Sequence, residues 1–344
     1  MYEGNRSILL NAKKQKMNVS VMDEEGLILD EIDYISSIKV DDASLYDTIF
    51  CWGNNHKELI EKAIGENERI ELVGSLKFDL CELMRQKFSN NAVIDKQKKA
   101  RRILINTRFS YTNGLAGSVE DELKKLRVTG CYLGSEGKER FYELIDAEHK
   151  IFDEFIFFIK RLMADTSFTI TLRPHPAERL EVYESLVTHS NNITVDRNTD
   201  LREQIFSHDC LVHDGCTTAI EAKAMMKPVF GLRPAISTNA YNDYANQYSI
   251  NFSSEKKLFQ YIKNVPINDF SDPEVDAVAL RGIYNWMGNN ELSAKAIINK
   301  YREYKASPCF CKVKPRIGIR DIIKNFLYKS VSWFDGICNG WIVD

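Results

Sequence analysis

The sequence predicts an α/β protein built on open sheets of parallel strands. Short apolar runs, such as TIFCW at 48–52 and RILIN at 102–106, alternate with stretches at helical spacing. In the first part of the chain each such run ends at a glycine or an acidic residue, where an open sheet forms its ligand crevice. The length of 344 residues suits two such domains.

In chain order, Asn18 to Met22 reads as a strand and leads into Asp23-Glu24-Glu25-Gly26. Thr48 to Trp52 is a second strand, His56 to Ile64 a helix, Arg69 to Val73 a third strand and Phe78 to Phe88 a helix. The polar, basic run Ser89 to Lys99 reads as a linker. Beyond it come a strand at Arg102 to Asn106, a polar loop from Thr107 to Gly117 and a long helix from Lys138 to Ala164. Phe141, Leu144, Ile145, Ile151, Phe152, Phe155, Ile159 and Leu162 give that helix its buried face. Strands follow at Thr169 to Leu172 and Ile193 to Val195, with a short helix from Asp200 to His208. Further helices are expected at Glu255 to Asn264 and Ser293 to Tyr304, with Tyr241 and Tyr244 in loops.

The run Leu211 to Leu232 reads as strand, tight turn, helix and strand. Asp214-Gly215 forms the turn, Cys216 to Met226 the helix, and Lys227-Pro228 the stop. Thr217 and Thr218 at the helix start suit an anion, because first-turn N–H groups are unpaired there. Thr218 and Glu221 equally fit a capping box, in which each side chain satisfies a backbone N–H of the other residue.

Composition narrows the function. Hydrophobic residues make up 44% and charged residues 28%, the balance of a soluble globular protein. A net charge of −3 supplies no general nucleic-acid surface. Cysteines at 51, 81, 131, 210, 216, 309, 311 and 338 form no CxxC pair, and Cys309-Phe310-Cys311 has no second pair to complete a zinc site. Cys51 and Cys210 lie in apolar runs as small hydrophobes, which favours a reducing compartment. Ser7 to Leu10 is too short for a signal peptide and no segment reaches membrane-spanning length, so the expected location is cytoplasmic.

Several motifs then line up. RPHP at 173–176, followed by HDGCTTAIEA and KPV, resembles the surface carbohydrate biosynthesis family. It is similar, more distantly, to the CDP-glycerol glycerophosphotransferases of teichoic acid synthesis and to the bacterial sialyl- and Kdo-transferases that use an HP motif. DEEG at 23–26, FCWG at 50–53 and ILINTRFS at 103–110 extend the resemblance over most of residues 18–305. VGSLKFDL at 73–80 departs from it, standing where a Gly-Asn-Pro-Arg-like run is expected.

The resemblance implies two Rossmann-like domains in a GT-B-like arrangement. Residues 1–97 would form an acceptor-side domain that is short or truncated, and 98–305 the nucleotide-donor domain. It implies a glycosyltransferase of bacterial capsule or O-antigen biosynthesis. The alternatives are a CDP-glycerol or ribitol-type polyol-phosphate transferase and an inactive accessory subunit. The partners implied are a CMP-sugar or CDP-polyol donor and a glycan or lipid-linked glycan acceptor. With no D-x-D and scattered histidines, neither metal nor cofactor is expected.

Residue by residue, the resemblance gives His175 the donor phosphate, either as an imidazolium or as a neutral hydrogen-bond donor. Arg173 either clamps the phosphate or pairs with Glu178. Thr107, Arg108 and Ser110 imply donor contacts, as do His213, Gly215, Thr217 and Thr218. His213 suits a structural role equally well. Glu221 implies a bond to the ribose hydroxyls, in competition with the cap. Glu24 is the expected base, with Glu25 and Asp23 behind it. Residues 306–344 read as a basic amphipathic tail. Ile319, Ile322, Ile323, Phe326, Leu327 and Val331 form one stripe and Arg316, Arg320 and Lys324 another face. The stretch 315–344 suits either the inner surface of the cell membrane or packing on protein.

Overall fold

The computed structural model of the chain describes residues 6–23, 31, 34–35, 38, 40–91, 100–115, 117–128, 132–234, 244–266, 270 and 292–306. Glu24, Glu25, Tyr241 and the tail from 307 to 344 lie outside the described residues.

The first sheet is built from α1 (Arg6–Lys14), β1 (Ser20–Met22), α2 (Val40–Ala43), β2 (Thr48–Cys51), α3 (Asn54–Ile64), β3 (Ile70–Leu72) and α4 (Leu76–Asn91). Its three strands are parallel in the order β1-β2-β3. β2 is central and buried along its whole length, as the unbroken apolar run TIFC requires. Helix α4 runs through Ser89, Asn90 and Asn91, so the start of the expected linker is helical instead.

The second sheet begins at β4 (Arg101–Asn106), which α5 (Val119–Val128) and α6 (Gly134–Met163) connect to β5 (Phe168–Arg173). Next come α7 (Glu181–Val187), β6 (Ile193–Val195), α8 (Leu201–Ser207), β7 (Cys210–His213), α9 (Thr218–Ala224) and β8 (Val229–Leu232). A 3₁₀ turn at Tyr244–Tyr248, β9 (Ile250–Phe252), α10 (Glu255–Asn264) and α11 (Ser293–Ala306) complete the described chain. The six strands are parallel in the order β6-β5-β4-β7-β8-β9. The chain thus builds outward from β4 to β6, then returns to the other side of β4. That is the strand order of the dinucleotide-binding Rossmann fold, with its switch point between β4 and β7.

Alternation along the strands divides the core. Ile103, Ile105, Cys210 and Val212 pack with Ile151, Phe155 and Ile159 of α6 and Leu258 and Ile262 of α10. Leu104 and Leu211 face the other way, onto Ile205 of α8 and Ala219 and Ile220 of α9. Trp52, Leu59, Phe78 and Cys81 of the first sheet's unit join this second cluster, so apolar packing joins the two units. Each such side chain stabilises the fold by about 1.5–3 kcal/mol on full burial. Helix α11 returns to the first sheet: the Ser293 amide donates to Asp79, Lys300 pairs with Glu71, and the Tyr301 ring meets Phe50 edge-on at 6.2 Å.

Helices α1, α5 and α7 and strand β9 go beyond the sequence expectation. Helix α9 is shorter than the expected Cys216–Met226 and ends before Lys227-Pro228. Met226 adopts a left-handed φ of 58°, and the Met226 and Lys227 amides close back on Lys223 and Ala222 at 2.9 Å each. Among the described residues, no helix is long and apolar enough to cross a membrane.

Candidate functional site

Strand register brings the separate motifs into one row. Asn106 at the end of β4 lies between Arg173 of β5 and His213 of β7, and Gly231 of β8 is next to His213. The RPHP loop, the Thr107–Arg108 loop and the Asp214–Thr218 turn therefore leave the sheet side by side at the switch point. The Arg108 charge acts on both His175 and His213, and Cys216 and Glu221 act on Arg173.

His175 is exposed. Its Nδ1 accepts the Ala177 amide at 3.2 Å, so in the neutral ring the proton sits on Nε2. Partial desolvation, aided by Arg108 and opposed by Glu178, holds its pKa below the ordinary imidazole value. The ring therefore offers a neutral N–H donor at pH 7.

Arg173 does not pair with Glu178. Its Nη1 donates to the Thr199 carbonyl at 2.7 Å and to Gln204 Oε1 at 2.8 Å, which anchors the guanidinium toward α8. Glu178 is fully buried and receives other donors: Thr107 Oγ1 at 2.8 Å, the His175 amide at 2.9 Å and the Tyr183 hydroxyl. Thr107 thus turns its hydroxyl inward, away from the role of a direct donor contact. Around this carboxylate the two loops are zipped together. The Leu115 amide donates to Ala177 at 3.0 Å, Arg179 to Asn113 at 2.9 Å, and Gly114 bridges Glu178. A Cβ on Gly114 would lie 1.9 Å from the Ser110 carbonyl oxygen, so only glycine permits this approach. Beneath the loop, buried Glu148 of α6 accepts the Tyr111 and Thr112 amides at 3.0 and 2.6 Å. Desolvation raises its pKa to about 7.

On the β7 side, His213 is buried and serves the turn. Nδ1 accepts the Cys216 amide at 3.2 Å and Nε2 donates to Ser249 Oγ at 2.6 Å, with burial lowering the pKa to about 3. The Gly215 amide, at φ +60°, donates to Asn246 Oδ1 at 3.1 Å. Both residues hold the turn from within instead of facing a ligand. The capping box does not form. Thr218, its expected N-cap, is already the first residue of α9 and its Oγ1 lies 3.1 Å from Cys216 Sγ, while Thr217 before it is also helical (φ −59°, ψ −20°) and makes no side-chain cap bond. Among the described residues, the Thr217 and Thr218 amides donate to no protein group. Glu221 is 3% exposed and lies 3.0 Å from Lys77 Nζ of α4 and 3.4 Å from Arg202 of α8. It is therefore locked between charges, and not presented for a ribose.

In the first sheet's unit, Asp23 follows β1, and the described part of the acidic run ends with it. The Tyr34 hydroxyl lies 3.5 Å from Asp23 Oδ2 and 2.6 Å from His56 Nε2, and the Trp52 amide donates to His56 Nδ1 at 3.3 Å. Burial lowers the His56 pKa to about 4. Glu148 and Lys77 extend this set beyond the residues the motifs indicated, Glu148 through the Tyr111 and Thr112 amides and Lys77 through Glu221. The sequence signal for Lys77 is its place in the departing VGSLKFDL run, and Glu148 has none.

No family model and no curated protein sequence matches the chain. Among solved structures, the chain is similar to the UDP-GlcNAc 2-epimerase of Neisseria meningitidis bound to UDP-GlcNAc, at 14% identity and a TM-score of 0.49 over 86% of this chain and 72% of that one. It is also similar to MnaA of S. aureus in complex with UDP, at 14% identity and a TM-score of 0.48 over 90% of this chain and 74% of that one. A third is the wall teichoic acid polymerase TagF, at 16% identity and a TM-score of 0.46 over 78% of this chain. The chain spans 61% of that polymerase chain. The fold class, two parallel α/β sheets of which the second has the Rossmann order, rests on strand order and register.

Proposed function

We propose that this chain is a GT-B-like transferase that binds a nucleotide-activated donor at the β4–β7 switch point and builds a bacterial surface glycan. The observation that carries the reading is the row Arg173–Asn106–His213, which gathers the RPHP loop, Arg108 and the Thr217–Thr218 amides at one sheet end.

In this reading the acceptor hydroxyl attacks the anomeric carbon of the donor as the bond to the phosphate oxygen breaks. The hydroxyl proton goes to a carboxylate of the acidic run, with Glu24 as the proposed base. The electron pair leaves with the nucleotide phosphate, where Arg108, Arg173, the Nε2–H of His175 and the Thr217 and Thr218 amides supply positive charge and hydrogen bonds. Preset donors at the leaving oxygen stabilise charge as it develops. The acceptor, a glycan or lipid-linked glycan, enters from the Asp23 side of the cleft. The stretch 315–344 is proposed to bring the protein to the inner membrane surface.

Calorimetry with CMP, CDP and UDP tests the reading. Wild type is expected to bind at least one of them, and Arg108→Ala to weaken that binding about tenfold or more. Turnover of CMP-sugars against CDP-polyols then separates glycosyl from polyol-phosphate transfer. Failure of wild type to bind any of the three at millimolar concentration would contradict it.

A further inference from the structure

We infer that Glu178 is the positioning residue of this site, a buried carboxylate that locks the RPHP loop to the Thr107–Arg108 loop so that His175 is held as a neutral Nε2–H donor beside Arg108. The use of that pair on a donor phosphate rests on the proposed function; the locking itself does not.

Three donors from three segments converge on this one carboxylate. The Thr107 hydroxyl comes from the β4 loop, the His175 amide from the β5 loop and the Tyr183 hydroxyl from α7. Glu178 is 0% exposed, so it touches no solvent and acts on a ligand only through its partners. Its own amide donates back to the His175 carbonyl at 2.9 Å, and its carbonyl accepts Arg197 Nη1 at 3.3 Å. Both backbone groups of His175 are thereby fixed. The ring is then set by the Ala177 amide at Nδ1, which selects the Nε2–H tautomer.

Tyr183 lies in the main core with Phe152 against it, ring centroids 6.4 Å apart. The loop is thus tied through Glu178 to the main hydrophobic core. A smaller neutral residue at 178 would take the acceptor from two buried hydroxyls and the part-buried His175 amide, and the loops would separate to reach water.

The test uses the full chain with Glu178→Ala and Glu178→Gln. The imidazole ¹⁵N spectrum of His175, assigned with His175→Ala, reports the tautomer without any ligand, and calorimetry reports CDP and CMP affinity. Glu178→Ala is expected to convert His175 from one tautomer to an exchanging mixture, speed amide exchange at 107–113 and 173–179, and weaken nucleotide binding ten- to a hundredfold. Glu178→Gln, which keeps the acceptor oxygen, is expected to retain the tautomer and stay within about threefold of wild-type affinity. A folded Glu178→Ala protein with the wild-type tautomer and exchange rates overturns the inference. Should that variant not fold, Thr107→Val and Tyr183→Phe each delete one donor. Altered His175 spectra in either support the inference, and unchanged spectra in both overturn it. If wild type binds no nucleotide, the proposed function fails while the tautomer result still decides the role of Glu178.

Discussion

Lys77 Nζ lies 3.0 Å from Glu221 Oε1, joining a helix of the first sheet's unit to the helix after β7 in the second. The contact sits at the rim of the switch point, where Arg202 meets the same carboxylate at 3.4 Å. The Lys77 side chain is 26% exposed and that of Glu221 only 4%. Removing the lysine therefore leaves a carboxylate that keeps its arginine, whereas removing the carboxylate takes the partner from Lys77 and leaves the largely buried Arg202 with the longer Asp200 contact at 3.8 Å. Lys77→Ala is expected to cost about 1 kcal/mol and Glu221→Ala about 3 kcal/mol. Urea denaturation of both variants checks the order, and equal losses would contradict it.

Buried titratable groups set a pH dependence with opposing signs. His213 and His56 have folded pKa values lowered to about 3 and about 4, so their neutral forms stabilise the fold above pH 6.5. That stability is lost as pH falls through the window below 6.5, where the unfolded chain binds more protons. Glu148 runs the other way, because its folded pKa is raised to about 7 from 4.5. Its contribution is present below 4.5 and lost as pH rises toward 7. Glu148→Gln should therefore make melting temperature climb more steeply between pH 4.5 and 7. A slope identical to wild type would remove Glu148 from the account.

His175 acts as a neutral donor if its lowered pKa and Nδ1 contact govern its chemistry. Nucleotide affinity should then stay level from pH 7 to 8.5. An imidazolium would instead lose affinity about tenfold per pH unit above its pKa. Calorimetry across that range decides, with His175→Gln expected to keep most of the binding because its amide also donates.

Gly231 in β8 supports the turn at Gly215 from a distance. A Cβ there would lie 2.0 Å from Asn251 Oδ1, and Asn251 is tied to the Asn246 and Ser249 carbonyls at 2.8 and 3.2 Å. Asn246 in turn accepts the Gly215 amide. Gly231→Ala is expected to destabilise by about 1–3 kcal/mol, and adding Asn251→Ala to recover much of it. Thermal melts of the single and double variants test the coupling.

Much of this was legible in the sequence because the strands are buried on both faces. TIFC, RILIN and CLVH could be placed within a residue or so, and helix Glu255–Asn264 to its ends. Helix Val119–Val128 goes beyond the sequence reading even though its first turn is acidic, its last turn basic, and Val119, Leu123 and Leu126 recur at helical spacing; it is short and fully buries only Leu123. Strand Ile250–Phe252 is three residues long and half-buried, too short to alternate visibly. Residue identity at the site was readable, but side-chain direction was not. Thr107, His213 and Glu221 turn inward because their partners Glu178, Ser249 and Lys77 come from other segments, and the sequence pattern holds no record of those contacts. The same holds for the capping box, which needs Thr218 as an extended residue before the helix, whereas Thr218 is already its first residue.

The most direct measurement is a crystal structure of the protein soaked with CDP. The account predicts phosphate density at the carboxyl ends of β4, β5 and β7, within about 3 Å of Arg108 or the His175 Nε2 and of the Thr217 or Thr218 amide. A fully occupied nucleotide whose phosphates lie away from all three loops would contradict it.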